Sequence, residues 1–282
     1  MGTEAASRQL NGSASAIRNG DSARTLSRET IERLAEHLEQ AELEAKDVVK
    51  ITDNYPEMTQ ADAYAIQDQI RFRKESRGHR TVGLKAGLTS RAKMTQMGVN
   101  SPVFGFLSDY FAVPAGGEIR VSELIHPKIE PEIAFVLKRP LKGPGCHIGT
   151  VLAATDFVVP AFEIIDSRYR DFKFDLTSVI ADNCSSARFV VGEQMSSAKH
   201  RDLRTAGCVM QKNGAVVALG AGAAVLGHPA SAIAMMANTQ REEIPAGSVL
   251  LSGAITEAVA ATRGDSFTLR IQDMGTISIR FV

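Results

Sequence analysis

The feature that most constrains this chain is a change of texture near residue 80. Before it, apolar residues recur at helical spacing; after it, short apolar or alternating segments follow one another between Gly, Pro, Asn and Asp. Strands are expected over 81–84, 103–107, 118–121, 129–137, 151–159, 187–191, 208–212, 215–219, 248–251, 266–272 and 276–282. Asn213-Gly214 predicts a tight hairpin, and Asp273-Met274-Gly275 a second one. One helix interrupts this series, from Pro229 at its first position to about Gln240. There is no regular alternation of strand and helix, which disfavours a TIM barrel or a Rossmann fold. The expected class is α+β: a β-rich unit over 81–282, a helical lead-in over 25–80 and a tail over 1–24.

In the lead-in, Ser27 is an N-cap with Leu26 and Ile31 at staple positions, and Ile31, Leu34, Leu38 and Ala41 form one stripe ending near Asp47. A second helix starts at Thr59 with Asp62 three residues on, buries Ala63, Ile66 and Ile70, and stops at Gly78. Glu29, Glu32, Glu36 and Glu39 are expected on a solvated face, and Arg71, Arg73, Lys74 and Arg77 at a helix C-terminus that suits their charge.

Lys plus Arg and Asp plus Glu are both 32, so no basic excess points to nucleic acid. No run approaches the roughly 18 apolar residues of a membrane helix. Cys146, Cys184 and Cys208 form no CxxC pair, and residues 1–24 lack the apolar core of a signal peptide; reduced thiols and a cytoplasmic location are expected. Gly220, Gly222 and Gly227 do not spell a dinucleotide fingerprint. His147, His200 and His228 have no metal-ligand spacing.

Chemistry concentrates in Lys128-Ile-Glu130-Pro-Glu132. On a strand Lys128, Glu130 and Glu132 share a face, and two like charges at that spacing repel unless a cation lies between them. Carboxylate oxygens suit magnesium or manganese. The plain alternative is a solvated face on which Lys128 pairs with a glutamate. Pro131 cannot donate to a ladder, so the strand is expected at an edge or bulged. Glu163 and Asp166 are the candidates for a third acid. Lys85, among small and apolar residues, and Lys173, between aromatics, either reach out to solvent or face an anionic substrate.

Six stretches carry a resemblance: GLKAGLTSRAKM at 83–94, GVNSPVFGFL at 98–107, HPKIEPEIAF at 126–135, FEIIDSR at 162–168, IADNCSS at 180–186 and PAGSVLLSGAIT at 245–256. In these the chain resembles the fumarylacetoacetate hydrolase superfamily, in its branch of hydratases and decarboxylases from the meta-cleavage degradation of aromatic compounds. The resemblance implies a mixed β-roll, a bound magnesium or manganese, and a 2-oxo acid substrate. It places Glu130, Glu132 and Glu163 on the metal, with Asp166 as the alternative to Glu163, and makes Lys85 and Lys173 the catalytic lysines. Carbon–carbon hydrolases of the superfamily carry a His–Glu pair where residues 89–97 have no histidine. Hydratases of the branch carry an acid where this chain has Val103, and a valine cannot move the protons that water addition needs. Loss of carbon dioxide from a small 2-oxo dicarboxylate is therefore the expected reaction. Hydration is the alternative, and a non-catalytic subunit of a hydratase complex a third reading. Thr89, Ser90, Val103 and Ser185 are expected to line the substrate. Association with the pathway hydratase and self-association are the expected partnerships, with neither nucleic acid nor membrane.

Overall fold

The computed structural model describes residues 23–96, 99–240 and 242–282, so residues 1–22 of the expected tail lie outside it. Two helices open it: α1 (Arg28–Leu43) and α2 (Gln60–Ser76). Ser27 caps α1 by accepting from Thr30 N–H, and Thr59 and Asp62 form a reciprocal capping box on α2. Gly78 follows α2 with φ +92°. The first helix ends at Leu43, four residues short of Asp47, with Ala45 at φ 51° just beyond it.

The helix charges are not all solvated. Glu39 is 1% exposed and lies 2.6 Å from Arg73 Nε and 3.8 Å from Lys74 Nζ, with Arg77 also on its carboxylate. Lys74 is 2% exposed and pairs with Glu42 at 2.9 Å. The acidic stripe of α1 and the basic end of α2 thus meet across their packing, which helical periodicity in one segment alone does not reveal.

The rest is two sheets. The larger has the order β2-β1-β9-β4-β5-β6, with β10 also on β4. Its strands are β1 (Thr81–Gly87), β2 (Val103–Ser108), β4 (Lys128–Leu137), β5 (Thr155–Ile165), β6 (Ser186–Val191), β9 (Val249–Leu251) and β10 (Val259–Ala260). The smaller runs β3-β12-β11-β7-β8 and is built from β3 (Glu118–Ile119), β7 (Gly207–Lys212), β8 (Ala215–Ala221), β11 (Ser266–Ile271) and β12 (Gly275–Phe281). The Asn213-Gly214 hairpin joins β7 to β8, and the turn at 273–274 joins β11 to β12. Ile129, Ile133 and Phe135 of β4 share one core cluster with Met210, Phe267, Leu269 and Ile279 of the smaller sheet. Ala134, Val159 and Ala161, of opposite parity, cluster with α1, α2, Val103 and Leu251. The acids of β4 lie on this second face.

Among the described residues four further α-helices, with short 3-10 turns, join these: α3 (Arg91–Gln96), α4 (Ile148–Ala154), α5 (Leu176–Ala181) and α6 (Pro229–Thr239). The expected strand over 151–159 is half wrong. Residues 148–154 form α4, with Val151 buried, and β5 begins only at Thr155. A short apolar run reads equally as buried helix or buried strand. Of the two expectations for β4, an edge or a bulge, the edge is wrong, and the irregularity in its pairing lies at Val136–Leu137, not at Pro131. Strand β4 pairs with β5 along its length, with β9 at 134–136 and with β10 at 128–129. Pro131 sits in the gap between the two short strands, where Ile255 N–H donates to its carbonyl at 2.9 Å. A proline tolerates an interior strand here because its nitrogen, like its carbonyl, points into that gap and not toward Phe162, its partner on β5. No helix of the described residues is long and apolar enough to cross a membrane.

Candidate metal centre

Glu130 and Glu163 are direct cross-strand partners on β4 and β5, and Glu132 stands opposite Ala161. Pleating puts all three carboxylates on one face, where one oxygen of each lies within 4.8 Å of the others. Glu130 is 7% exposed, and Glu132 and Glu163 are fully buried. Three buried acids this close are costly without a cation. The hydrogen bonds do not remove that cost: Glu132 Oε1 and Glu163 Oε2 have no hydrogen-bond partner, and Glu163 Oε1 has only the Lys85 ammonium, 3.1 Å away. Buried polar atoms are almost always satisfied, so these orphaned oxygens fit a hard divalent cation. Burial, followed by the fields of Glu163 and Glu130, pushes the Glu132 carboxyl well above the ordinary range. Burial also raises Glu163, against the pull of Lys85.

Lys85 comes from the middle of β1 and is 2% exposed. Its Nζ lies 3.1 Å from Glu163 Oε1 and donates to the Cys184 carbonyl at 3.1 Å. Burial opposes its charge, but the carboxylates, Glu163 first, outweigh burial and hold the ammonium above the ordinary lysine range. The carbonyl that receives it belongs to an unusual turn. Asn183, Cys184 and Ser185 all have positive φ, at 47°, 52° and 60°. Such a run costs energy in residues with a Cβ and persists only where its surroundings hold it. Asn183 does so by exchanging two hydrogen bonds with the Phe106 backbone, at 2.9 and 3.0 Å. Arg168, buried, holds the other side through the Asp182 carboxylate and the carbonyls of Asp166 and Ser186, at 2.6 and 3.1 Å for the last two.

Gly253, just after β9, donates its N–H to Glu132 Oε2 at 2.7 Å. It has φ +101°, and a Cβ there would lie 2.1 Å from Thr89 Oγ1. Thr89 therefore packs directly over the backbone that orients Glu132. A Cβ on Gly87 would lie 3.3 Å from Val103 Cγ2, 3.7 Å from Lys85 Nζ and 3.9 Å from Cys184 Cβ. The apolar Val103 side chain and the ammonium thus both approach the Gly87 backbone, and Ser185, next to Cys184, has a buried hydroxyl oxygen without a hydrogen-bond partner.

Not every sequence candidate joins this group. Lys173 is 81% exposed and lies 3.4 Å from Asp171, with no contact to the three acids among the described residues. Ser90 sits at the start of α3, where its carbonyl accepts from Met94 N–H at 3.0 Å. Asp166 is used elsewhere: its two oxygens accept from Ile125 and His126 N–H at 2.8 and 2.7 Å, which leaves Glu163 as the third acid. The Gly253 N–H, the Cys184 carbonyl and the Arg168–Asp182 support were not singled out from sequence. The first two are backbone groups without a side-chain signature, although both lie in stretches that carry the resemblance.

No family model matches the chain. Its relatives do. A 4-oxalocrotonate decarboxylase of Pseudomonas sp. (strain CF600) is 61% identical over 262 residues, covering 92% of this chain and 99% of that protein. A 2-hydroxyhexa-2,4-dienoate hydratase of Comamonas testosteroni is 43% identical over 256 residues, covering 89% and 97%. Among solved structures, 4-oxalocrotonate decarboxylase from Pseudomonas putida G7, complexed with magnesium and adipate, matches with TM-score 0.90 and 58% identity over 92% of this chain and 100% of that one. A fumarylacetoacetate hydrolase family protein from Yersinia pestis CO92 matches with TM-score 0.55 and 14% identity over 71% and 92%, a likeness of fold alone.

Proposed function

The chain belongs to the family of 4-oxalocrotonate decarboxylases and related dienoate hydratases, and from that premise we propose that it decarboxylates 4-oxalocrotonate, in its 2-oxo-3-hexenedioate form, with magnesium. The C5–C6 bond breaks and C6 leaves as carbon dioxide. The electron pair moves through the conjugated chain to the oxygen on C2, which takes up one proton, giving 2-hydroxypenta-2,4-dienoate. Glu130, Glu132 and Glu163 would hold the magnesium, which supplies a Lewis acid for the oxygen that gains charge. The single observation that carries the reading is that buried acid triad in a chain 61% identical to a decarboxylase.

The chain's own residues supply the rest. Lys85, kept charged by Glu163, is the cation beside the acids and stabilises negative charge forming on the substrate head. The Gly253 N–H holds Glu132 in place, and Thr89 fixes Gly253. Val103 offers neither proton donor nor acceptor, which withholds the proton relay that water addition needs and leaves bond cleavage as the available step. Lys173, on an exposed segment, would serve only by moving inward. We take 81–282 as the catalytic unit and 25–80 as its helical cover, with a cytoplasmic location and association with a hydratase that consumes the dienol product.

The test is spectrophotometric. With magnesium, purified protein should consume 4-oxalocrotonate and release carbon dioxide. Hydration of 2-hydroxypentadienoate to 4-hydroxy-2-oxopentanoate without carbon dioxide release from 4-oxalocrotonate would make it a hydratase.

A further inference from the structure

We infer that Lys128 and His126 form a second anion subsite that receives the far carboxylate of a dicarboxylate substrate, an inference that rests on the reading above for the substrate class. Three observations lead to it. First, Lys128 shares the strand face of Glu130 and Glu132, two residues from Glu130, which is about 6–7 Å along a strand. That span matches the end-to-end length of a six-carbon dicarboxylate whose other end lies at the triad. Second, Lys128 is half-buried, has no carboxylate partner among the described residues, and holds its Nζ 4.0 Å from the centre of the Phe172 ring. Third, the His126 ring lies 5.0 Å from the same Phe172 ring, and its buried Nε2 has no hydrogen-bond partner.

The surroundings position these groups. Asp166 accepts the His126 N–H at 2.7 Å, so the residue that leaves the metal set to Glu163 fixes the histidine backbone. Phe172 follows Asp171 in a turn where both have positive φ, at 59° and 56°, and that turn brings the ring against Lys128 and His126 together. An ammonium on an aromatic face loses part of its water, which favours a carboxylate over water as its next partner. An Nε2–H on His126 would donate to the same carboxylate. A monocarboxylate has nothing to place there, so the subsite discriminates by the second charge.

The test is calorimetric titration of the magnesium-loaded protein with hexanedioate and with hexanoate. The wild type should favour hexanedioate by about tenfold or more, the scale of one charge-assisted hydrogen bond. Lys128→Met should bring the ratio of the two dissociation constants close to one while magnesium affinity persists, and Lys128→Arg should retain the preference. Equal affinities in the wild type, or an undiminished preference in Lys128→Met, overturn the subsite. Should Lys128→Met not fold, the wild type alone decides through hexanedioate against its monoamide: a preference for the dianion supports the subsite, and equal binding overturns it. A dianion preference lost in Lys128→Met without carbon dioxide release from 4-oxalocrotonate would leave the subsite standing and remove the decarboxylase reading. Carbon dioxide release with no such preference would do the reverse.

Discussion

Replacing Glu132 with Gln removes one charge from the buried triad while keeping its shape and an acceptor for the Gly253 N–H at 2.7 Å. Two like charges 4.8 Å apart repel by about 3–4 kcal/mol at an effective dielectric near 20, and Glu132 has two such neighbours. Without metal, the wild type bears this either as repulsion or as a proton held on Glu132 against its ordinary tendency. The sign with pH follows. Burial and the neighbouring acids raise the folded-state pKa of Glu132, so between the unfolded value and that raised value the folded protein binds more protons, and metal-free stability falls as pH rises through this window. Gln removes both costs. Metal-free Glu132→Gln should therefore be at least as stable as the wild type, by up to a few kcal/mol, with the gap widening as pH rises. Magnesium at a hundred times its dissociation constant adds about 2.7 kcal/mol to the wild type, or roughly 5–10 °C in Tm for a chain this long. The variant should lose that increment at the same magnesium concentration. Scanning calorimetry at two pH values, with and without magnesium, reads both quantities. A metal-free variant several degrees less stable, with the full magnesium increment intact, would refute the reasoning.

Other consequences are as specific. Val103→Asp places a carboxylate near Gly87, which Lys85 Nζ also approaches, where the proposed reaction calls for an apolar side chain; carbon dioxide release should fall by about tenfold or more. Asp182→Asn leaves the buried Arg168 guanidinium without its charge partner and should cost about 3–5 kcal/mol in urea unfolding, far more than loss of a solvent-exposed ion pair such as Arg28–Glu32. His228 caps α6 by accepting the Ala230 N–H on Nδ1 at 3.0 Å, and burial lowers its pKa below the ordinary histidine value. The unfolded chain then binds the proton more readily, so this stability is present above the ordinary histidine pKa and is lost as pH falls through the window below it. His228→Asn, a cap that does not titrate, should gain in stability relative to the wild type as pH falls from 7 to 5, read by chemical unfolding.

Helix caps were legible because Ser27, Thr59 and Asp62 act through bonds to residues three away. The Asn213-Gly214 hairpin was legible for the same local reason. The triad was legible on β4 because alternation alone places Glu130 with Glu132. Its third member needed the β4–β5 register, which puts Glu163 opposite Glu130 and turns Asp166 toward Ile125 and His126. Helix α4 was misread because a short run of small and apolar residues carries no period that separates helix from strand. Glu39 was assigned to solvent because its partners lie 34 and 38 residues away on α2. Lys173 was paired with Lys85 by resemblance, and the structure separates them: one is buried on the acids and the other is in solvent. For the third acid, Glu39 and Lys173, long-range pairing and not local pattern decides the outcome.

The most direct test of the central claim is the stoichiometry of carbon dioxide released per 4-oxalocrotonate consumed, measured with magnesium and after chelation. The account predicts one carbon dioxide per substrate with magnesium and essentially none without it. Consumption with no carbon dioxide, or equal release after chelation, would contradict it.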